Sequence, residues 1–122
     1  MSTNASSCAH RTLEAILLQA DGLKAVPKAD LQFGDQVLVT TAHSTYSIYA
    51  LEDGLYLVSG GWFDRHGLSP MKTSITGCTW GGSAIKLDIL AACGLHLEFG
   101  NRVVTSRIRS VQVRRCEDQR AN

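Results

Sequence analysis

No apolar run in this chain approaches the roughly 18 residues that a membrane-spanning helix requires. The opening segment, MSTNASSCAHRT, is polar and lacks the apolar centre of a secretory signal, so a cytoplasmic protein of bacterial type is the expectation. The four cysteines, Cys8, Cys78, Cys93 and Cys116, never fall in a CxxC, which excludes a zinc knuckle and a thioredoxin-type motif. In a cytosol they stay reduced. Net charge is small at +1, so no global field recruits a polyanion. Trp80-Gly81-Gly82-Ser83-Ala84-Ile85-Lys86 lacks the spacing of a phosphate loop, and its glycines are better explained by backbone geometry. Neither a nucleophile elbow nor a paired-carboxylate pattern is present. Prolines number two beside eleven glycines, a ratio that suits a turn-rich β-protein.

What is present is alternation. Gly34 to Gly61, GDQVLVTTAHSTYSIYALEDGLYLVSGG, holds three runs of β-branched or aromatic residues separated by two turn clusters. It reads as an antiparallel meander: Gln36 to Thr41, Thr45 to Leu51 and Leu55 to Ser59. Ala42-His43-Ser44 makes the first turn. Glu52-Asp53-Gly54 makes the second, glycine supplying the positive φ that hairpin turns need. With 44% hydrophobic and 19% charged residues, 122 residues suffice for one folded domain. That domain is expected over 10–116, with disordered tails at 1–9 and 117–122.

Around the meander, Arg11 to Ala20 carries Leu13, Ile16, Leu17 and Ala20 on one helical face, with Thr12 as cap and Gly22 as stop. Pro27 and Gly34 bound a connector. GGWFDRHGLSP, ending at Pro70, reads as an irregular loop, followed by a strand from Met71 to Thr79. Leu95 to Phe99 is a strand with Leu95, Leu97 and Phe99 inward. Gly100-Asn101 reverses the chain, and Arg102 to Val113 is the last strand. In that strand Val104 and Ile108 share one parity, while Val111 and Val113 share the other. A strict two-residue period cannot bury all four, so a bulge or bend is predicted near Arg109-Ser110. Ser83 to Gly94 fits either a capped helix or a short strand with a turn, the extended reading being preferred. The fold expected is mainly β: a small antiparallel barrel or rolled sheet of about six strands with one short N-terminal helix.

Gly34-Asp35, Gly60-Gly61 with Phe63, Gly81-Gly82-Ser83, Leu97-Glu98-Phe99 and Val104-Thr105-Ser106 with Ile108 and Val111 follow one another in a recognisable order. That order, across residues 34–113, resembles a set of small bacterial β-barrel-like proteins of uncharacterised function. The resemblance implies a fold but no activity, cofactor or site residue.

Two segments stand out as candidate sites. The loop Trp62-Phe63-Asp64-Arg65-His66 combines two aromatics, an acid, a base and a titratable ring, as ligand-binding loops of small β-domains do. Its plainer reading has Trp62 and Phe63 closing the barrel end, with Asp64 and Arg65 as a surface ion pair. The second segment is basic. From Asn101 on, six arginines face only Glu117 and Asp118, a net of +4, whereas the first hundred residues sum to −3. Arg102, Arg107, Arg109 and Arg114 are the candidates for polyanion binding, with Arg107 and Arg109 placed on one strand face. A charged edge strand that resists aggregation explains them as well. The scattered His and Cys give no metal-ligand spacing, and no cofactor is implied. These features point to a non-catalytic binding module, most naturally for protein–protein or self-association. The alternatives are a weak single-stranded nucleic-acid binder using the arginine-rich strand, and a small enzyme centred on the 62–66 loop.

Overall fold

The computed structural model describes residues 25–80 and 84–116. The expected helix over 11–20 and the expected tails at 1–9 and 117–122 lie outside the described residues. Among the described residues the strands are β1 (Ala25–Pro27), β2 (Gln36–Thr41), β3 (Thr45–Ala50), β4 (Leu55–Gly60), β5 (Met71–Thr79), β6 (Ile85–Lys86), β7 (Ile89–Ala92), β8 (His96–Phe99) and β9 (Ile108–Arg114). A 3-10 turn at Lys28–Asp30 and one short helix, α1 (Gly61–Arg65), complete them.

The meander forms in sequence order. Val37 pairs Ile48 across β2–β3, and Ile48 pairs Val58 across β3–β4, all antiparallel. These three side chains are fully buried, each contributing about 1.5–3 kcal/mol by leaving water. Their alternation sets the register, because a one-residue slip would turn every one of them outward. The main sheet runs β6-β5-β4-β3-β2-β9, with β8 also on β5, and curls into a half-barrel. Every strand pairing is antiparallel. Its core gathers Phe63, Phe99, Ile48, Leu90 and Leu97.

β5 changes partners along its length: Met71–Ser74 pair with β4, and Ile75–Thr79 pair with β8 and β6. The register slips between Ile75 and Gly77, where Gly77 adopts φ +154 and a side chain would run into the Lys86 backbone. Lys28 stabilises this irregularity by donating from Nζ to the carbonyls of Ile75 at 2.7 Å and Thr76 at 3.1 Å. Burial there lowers the Lys28 pKa below the ordinary lysine value, partly offset by nearby Cys78 and Asp88.

Of the segment read as helix or strand, the described part from Ala84 to Gly94 takes the extended reading: β6 and β7 flank a Leu87-Asp88 turn. β7 also pairs with β1, a strand absent from the sequence reading because it is three residues long and ends in Pro27. Pro27 is compatible with its strand-end position, where a missing amide breaks no ladder.

The final strand needs correction at its start. Arg102 to Arg107 is not strand; only Val104 bridges, to Glu98, and its side chain stays 49% exposed. β9 starts at Ile108. The expected bulge is present: Thr40 pairs Ser110 and Thr41 pairs Ile108, leaving Arg109 without a partner residue on β2. That extra residue restores the phase, so Ile108 and Val111 are both 2% exposed despite their odd spacing.

Candidate functional site

The segment read as an irregular loop begins instead with α1. Gly60 and Gly61 have φ +101 and +45, and a Cβ on Gly60 would collide with the Thr45 carbonyl. This lets the chain leave β4 and turn at once. The Trp62 amide donates to the Tyr46 hydroxyl at 3.2 Å, and the Gly60 amide donates to Asp64 Oδ1 at 3.0 Å. Phe63 then projects into the core, edge-on to Tyr46 and Phe99 with centroids at 6.3 and 4.9 Å. Phe63 therefore closes the core end, as the plainer reading had it. Trp62 packs edge-on against Phe63 and stacks on His66 at 4.2 Å. His66 is further tied by its Nδ1 to the Trp62 carbonyl at 2.8 Å.

The expected Asp64–Arg65 ion pair does not form. The Asp64 carboxylate bonds Ser69 and the Gly60 amide, which together hold its pKa below the usual value, Arg65 adding a smaller effect. Arg65 reaches the other way, donating from Nη1 to Ser44 Oγ at 3.1 Å.

That contact leads to the β2–β3 turn. The Thr41 hydroxyl accepts the amides of His43 and Ser44 at 3.3 and 3.1 Å, which fixes the turn and leaves His43 exposed. His43 Nδ1 lies 2.8 Å from Ser106 Oγ. The Ala42 amide donates to the Arg107 carbonyl at 3.2 Å. Arg109, the bulged residue, stands opposite the Thr40–Thr41 step of the same strand end. The Ser106 segment is itself pinned, since the Thr105 hydroxyl accepts the Leu97 amide at 3.1 Å and His96 Nδ1 lies 2.9 Å from the Thr105 carbonyl.

Two candidate segments far apart in sequence thus meet at one corner. Arg65, from α1, bonds Ser44 of the turn that carries His43, the Arg107 carbonyl accepts the Ala42 amide of that turn, and Arg109 stands opposite the Thr40–Thr41 step leading into it. The sequence reading had not connected them, and it named Ser106 within the resemblance but not as a site residue. Arg107 and Arg109 do not share a strand face, because Arg107 precedes β9 and Arg109 is bulged. Arg102 belongs instead to the turn after β8, with φ +72, and Arg114 stands opposite Gln36 at the other end of β2. Arg115 is engaged with buried Asp35 at 2.9 Å.

The corner offers guanidinium forks, an imidazole and hydroxyls, a donor set matched to oxyanions. His43 against Ser106 is also half of a nucleophile–base arrangement, but among the described residues nothing bonds the other ring nitrogen to orient it. Cys78, Cys93 and Cys116 offer no second one. Burial pushes the Cys78 thiol up to about 11, partly offset by an Ala92 backbone bond and Lys28, and Cys78 Sγ lies 3.4 Å from the Leu90 carbonyl. An open cleft of ≈ 330 Å³ lies elsewhere, among Phe33, Leu51, Glu52, Asp53, Leu55 and Lys72. Among the described residues no three His, Cys, Asp or Glu side chains gather to hold a metal, and no helix is long and apolar enough to cross a membrane.

A second feature borders the corner. β9 ends the sheet order, and its outer edge is bonded where it begins, by Ile108 to Gly94 and Leu95 and by Cys93 to the Arg109 carbonyl. Beyond Arg109 no strand among the described residues covers that edge. No family model matches this chain, and no curated protein or solved structure does either.

Proposed function

We propose that this is a non-catalytic association module whose docking element is the open edge of β9, and whose first partner is a second copy of the chain. The observation that carries this reading is the run from Ser110 to Val113, whose outer edge no strand among the described residues covers. The bond from the Ala42 amide to the Arg107 carbonyl sets the phase of the β2–β9 ladder. By the antiparallel alternation, Val111 and Val113 turn their amides and carbonyls away from β2. An isologous antiparallel pairing centred on Gln112 joins the Val111 groups of one copy to the Val113 groups of the other through about four backbone hydrogen bonds. It sets Ser110 opposite Arg114 of the second copy and Arg109 opposite Arg115, whose guanidinium is already paired with Asp35 in its own copy.

In this reading the curled sheet is a barrel left open between β6 and β9, with β7 packed against both β5 and β9. The free thiols Cys78, Cys93 and Cys116 support a reducing, cytoplasmic setting.

Light scattering across micromolar concentrations, combined with amide hydrogen exchange, tests it. The expected mass rises above the 13.2 kDa of one chain as the Val111 and Val113 amides gain protection. Val113→Pro deletes an outward amide without touching a bond to β2, and this variant remains monomeric. A wild-type monomer at every concentration refutes the proposal. So does protection of both amides in the dilute monomer, which would mean the edge is satisfied within one chain.

A further inference from the structure

We infer that the corner built by His43, Ser44, Arg65, Ser106, Arg107 and Arg109 is a binding site for the carboxylates of an acidic polypeptide segment. Two separate stretches supply its arginines, Arg65 in one and Arg107 and Arg109 in the other, and two serine hydroxyls hold His43 and Arg65 at 2.8 and 3.1 Å. A guanidinium bonded to a neutral hydroxyl keeps its full charge and spends only one of its five N–H donors there. The stretches that meet there, 40–45, 65–67 and 104–110, contain no Asp or Glu. Asp64, the acid next in sequence, is bonded to the Gly60 amide and to Ser69, and Arg65 acts on it only as the last and smallest influence. His66 is likewise committed, to the Trp62 carbonyl.

The corner is therefore a local excess of positive charge on a chain whose net charge is only +1. Such a patch selects its partner by sign, and exposed pairs of this kind weaken as salt rises.

The geometry favours an acidic peptide over a nucleic acid because single strands need open aromatic faces on which to stack. Tyr46, the tyrosine nearest in sequence to the turn, is 3% exposed beneath Phe63 and Phe99. Trp62 is half-buried, with one face already covered by His66. Trp80, which is exposed, lies at the end of β5 beside the β6 pairing. A peptide carboxylate needs only the forked donors that the corner presents.

The test is fluorescence anisotropy with labelled decaglutamate at low salt, using the full chain. Wild type binds, and binding fades as salt is raised. Arg65→Gln and Arg107→Gln each weaken it by about two- to fivefold, and the double variant by about tenfold. Arg102→Gln, outside the corner, leaves it unchanged, as does Val113→Pro, so failure of strand pairing and failure of this site are told apart. Arg65 and Arg107 are exposed, and a melting curve identifies any variant that does not fold. Should the double variant fail in this way, Arg65→Glu alone serves, with a larger loss than Arg65→Gln. Absence of decaglutamate binding at low salt overturns the inference, as does binding indifferent to both arginines. Tighter binding of a ten-nucleotide oligothymidine than of decaglutamate overturns it in favour of a nucleic acid. Competition by millimolar inorganic phosphate is expected, whereas competition by equimolar phosphate would make a small free anion the ligand and overturn it too.

Discussion

Replacing Asp35 with asparagine should be far from conservative. Asp35 is 3% exposed, and its carboxylate ties together three parts of the chain. Oδ2 accepts the Gln32 amide and Arg115 Nη1, each at 2.9 Å, while Oδ1 accepts the Cys116 amide, also at 2.9 Å. Every one of those neighbours is a donor. Asparagine brings one acceptor and one donor, so in either orientation its NH₂ faces at least one N–H. Turned so that its oxygen meets Gln32 and Arg115, it orphans the Cys116 amide at about 1–3 kcal/mol and loses the charge assistance on the Arg115 bond. That second loss is discounted because the Arg115 side chain is 31% exposed, and its Nη1 keeps the Asp30 carbonyl at 2.8 Å. The net expectation is a loss of about 2–3 kcal/mol for Asp35→Asn, and about 3–4 kcal/mol for Asp35→Ala, which removes every acceptor. Urea unfolding followed by tryptophan fluorescence measures it. With a slope of about 1–1.5 kcal/mol per molar, the midpoint of Asp35→Asn falls by about 2 M. A midpoint within roughly 0.4 M of wild type would refute the argument that this carboxylate fastens the end of β9 to the 31–35 turn.

Two further perturbations follow from the core and the bulge. Cys78 is buried with its pKa raised to about 11, so its thiolate is scarce at neutral pH. Iodoacetamide in native buffer should label it more slowly than half-buried Cys93 or Cys116, as read by peptide mass mapping; equal rates would contradict its burial. Deleting Arg109 removes the extra residue opposite the Thr40–Thr41 step and leaves Ile108 and Val111 two positions apart, on one face of a regular ladder. The deletion should therefore cost no more than about 1 kcal/mol, and Arg109→Ala no more than about 0.5 kcal/mol, as urea unfolding midpoints would read. A loss above about 2 kcal/mol on deletion would show that the bulge does more than set the phase.

The strands were readable because alternation and turn chemistry agree locally. Gln36–Thr41, Ala42-His43-Ser44 and Glu52-Asp53-Gly54 each announce one element without help from distant residues. The bulge was readable for the opposite reason. Val104, Ile108, Val111 and Val113 make incompatible demands on one period, and such a conflict has to be resolved in the backbone. α1 was hidden because five residues are too few to display a helical repeat, and its start depends on a Tyr46 hydroxyl sixteen positions earlier. β1 was hidden by its length and by Pro27.

The basic corner lay beyond the sequence reading for a more specific reason. Its two defining contacts join residues 63 positions apart, His43 to Ser106, and 21 apart, Arg65 to Ser44. Periodicity describes what one element does to its own faces and is silent about which ends of different elements coincide. The missing step was the pairing of β9 with β2. Once that ladder is granted, the bulge places Arg109 at the Thr40–Thr41 end and draws Arg107 to the 42–44 turn, while the hairpin with β3 holds Ser44 there for Arg65. Three stretches without an acid then become a single basic surface. The sequence carried the charge pattern in full, and only the long-range pairing turned it into a site.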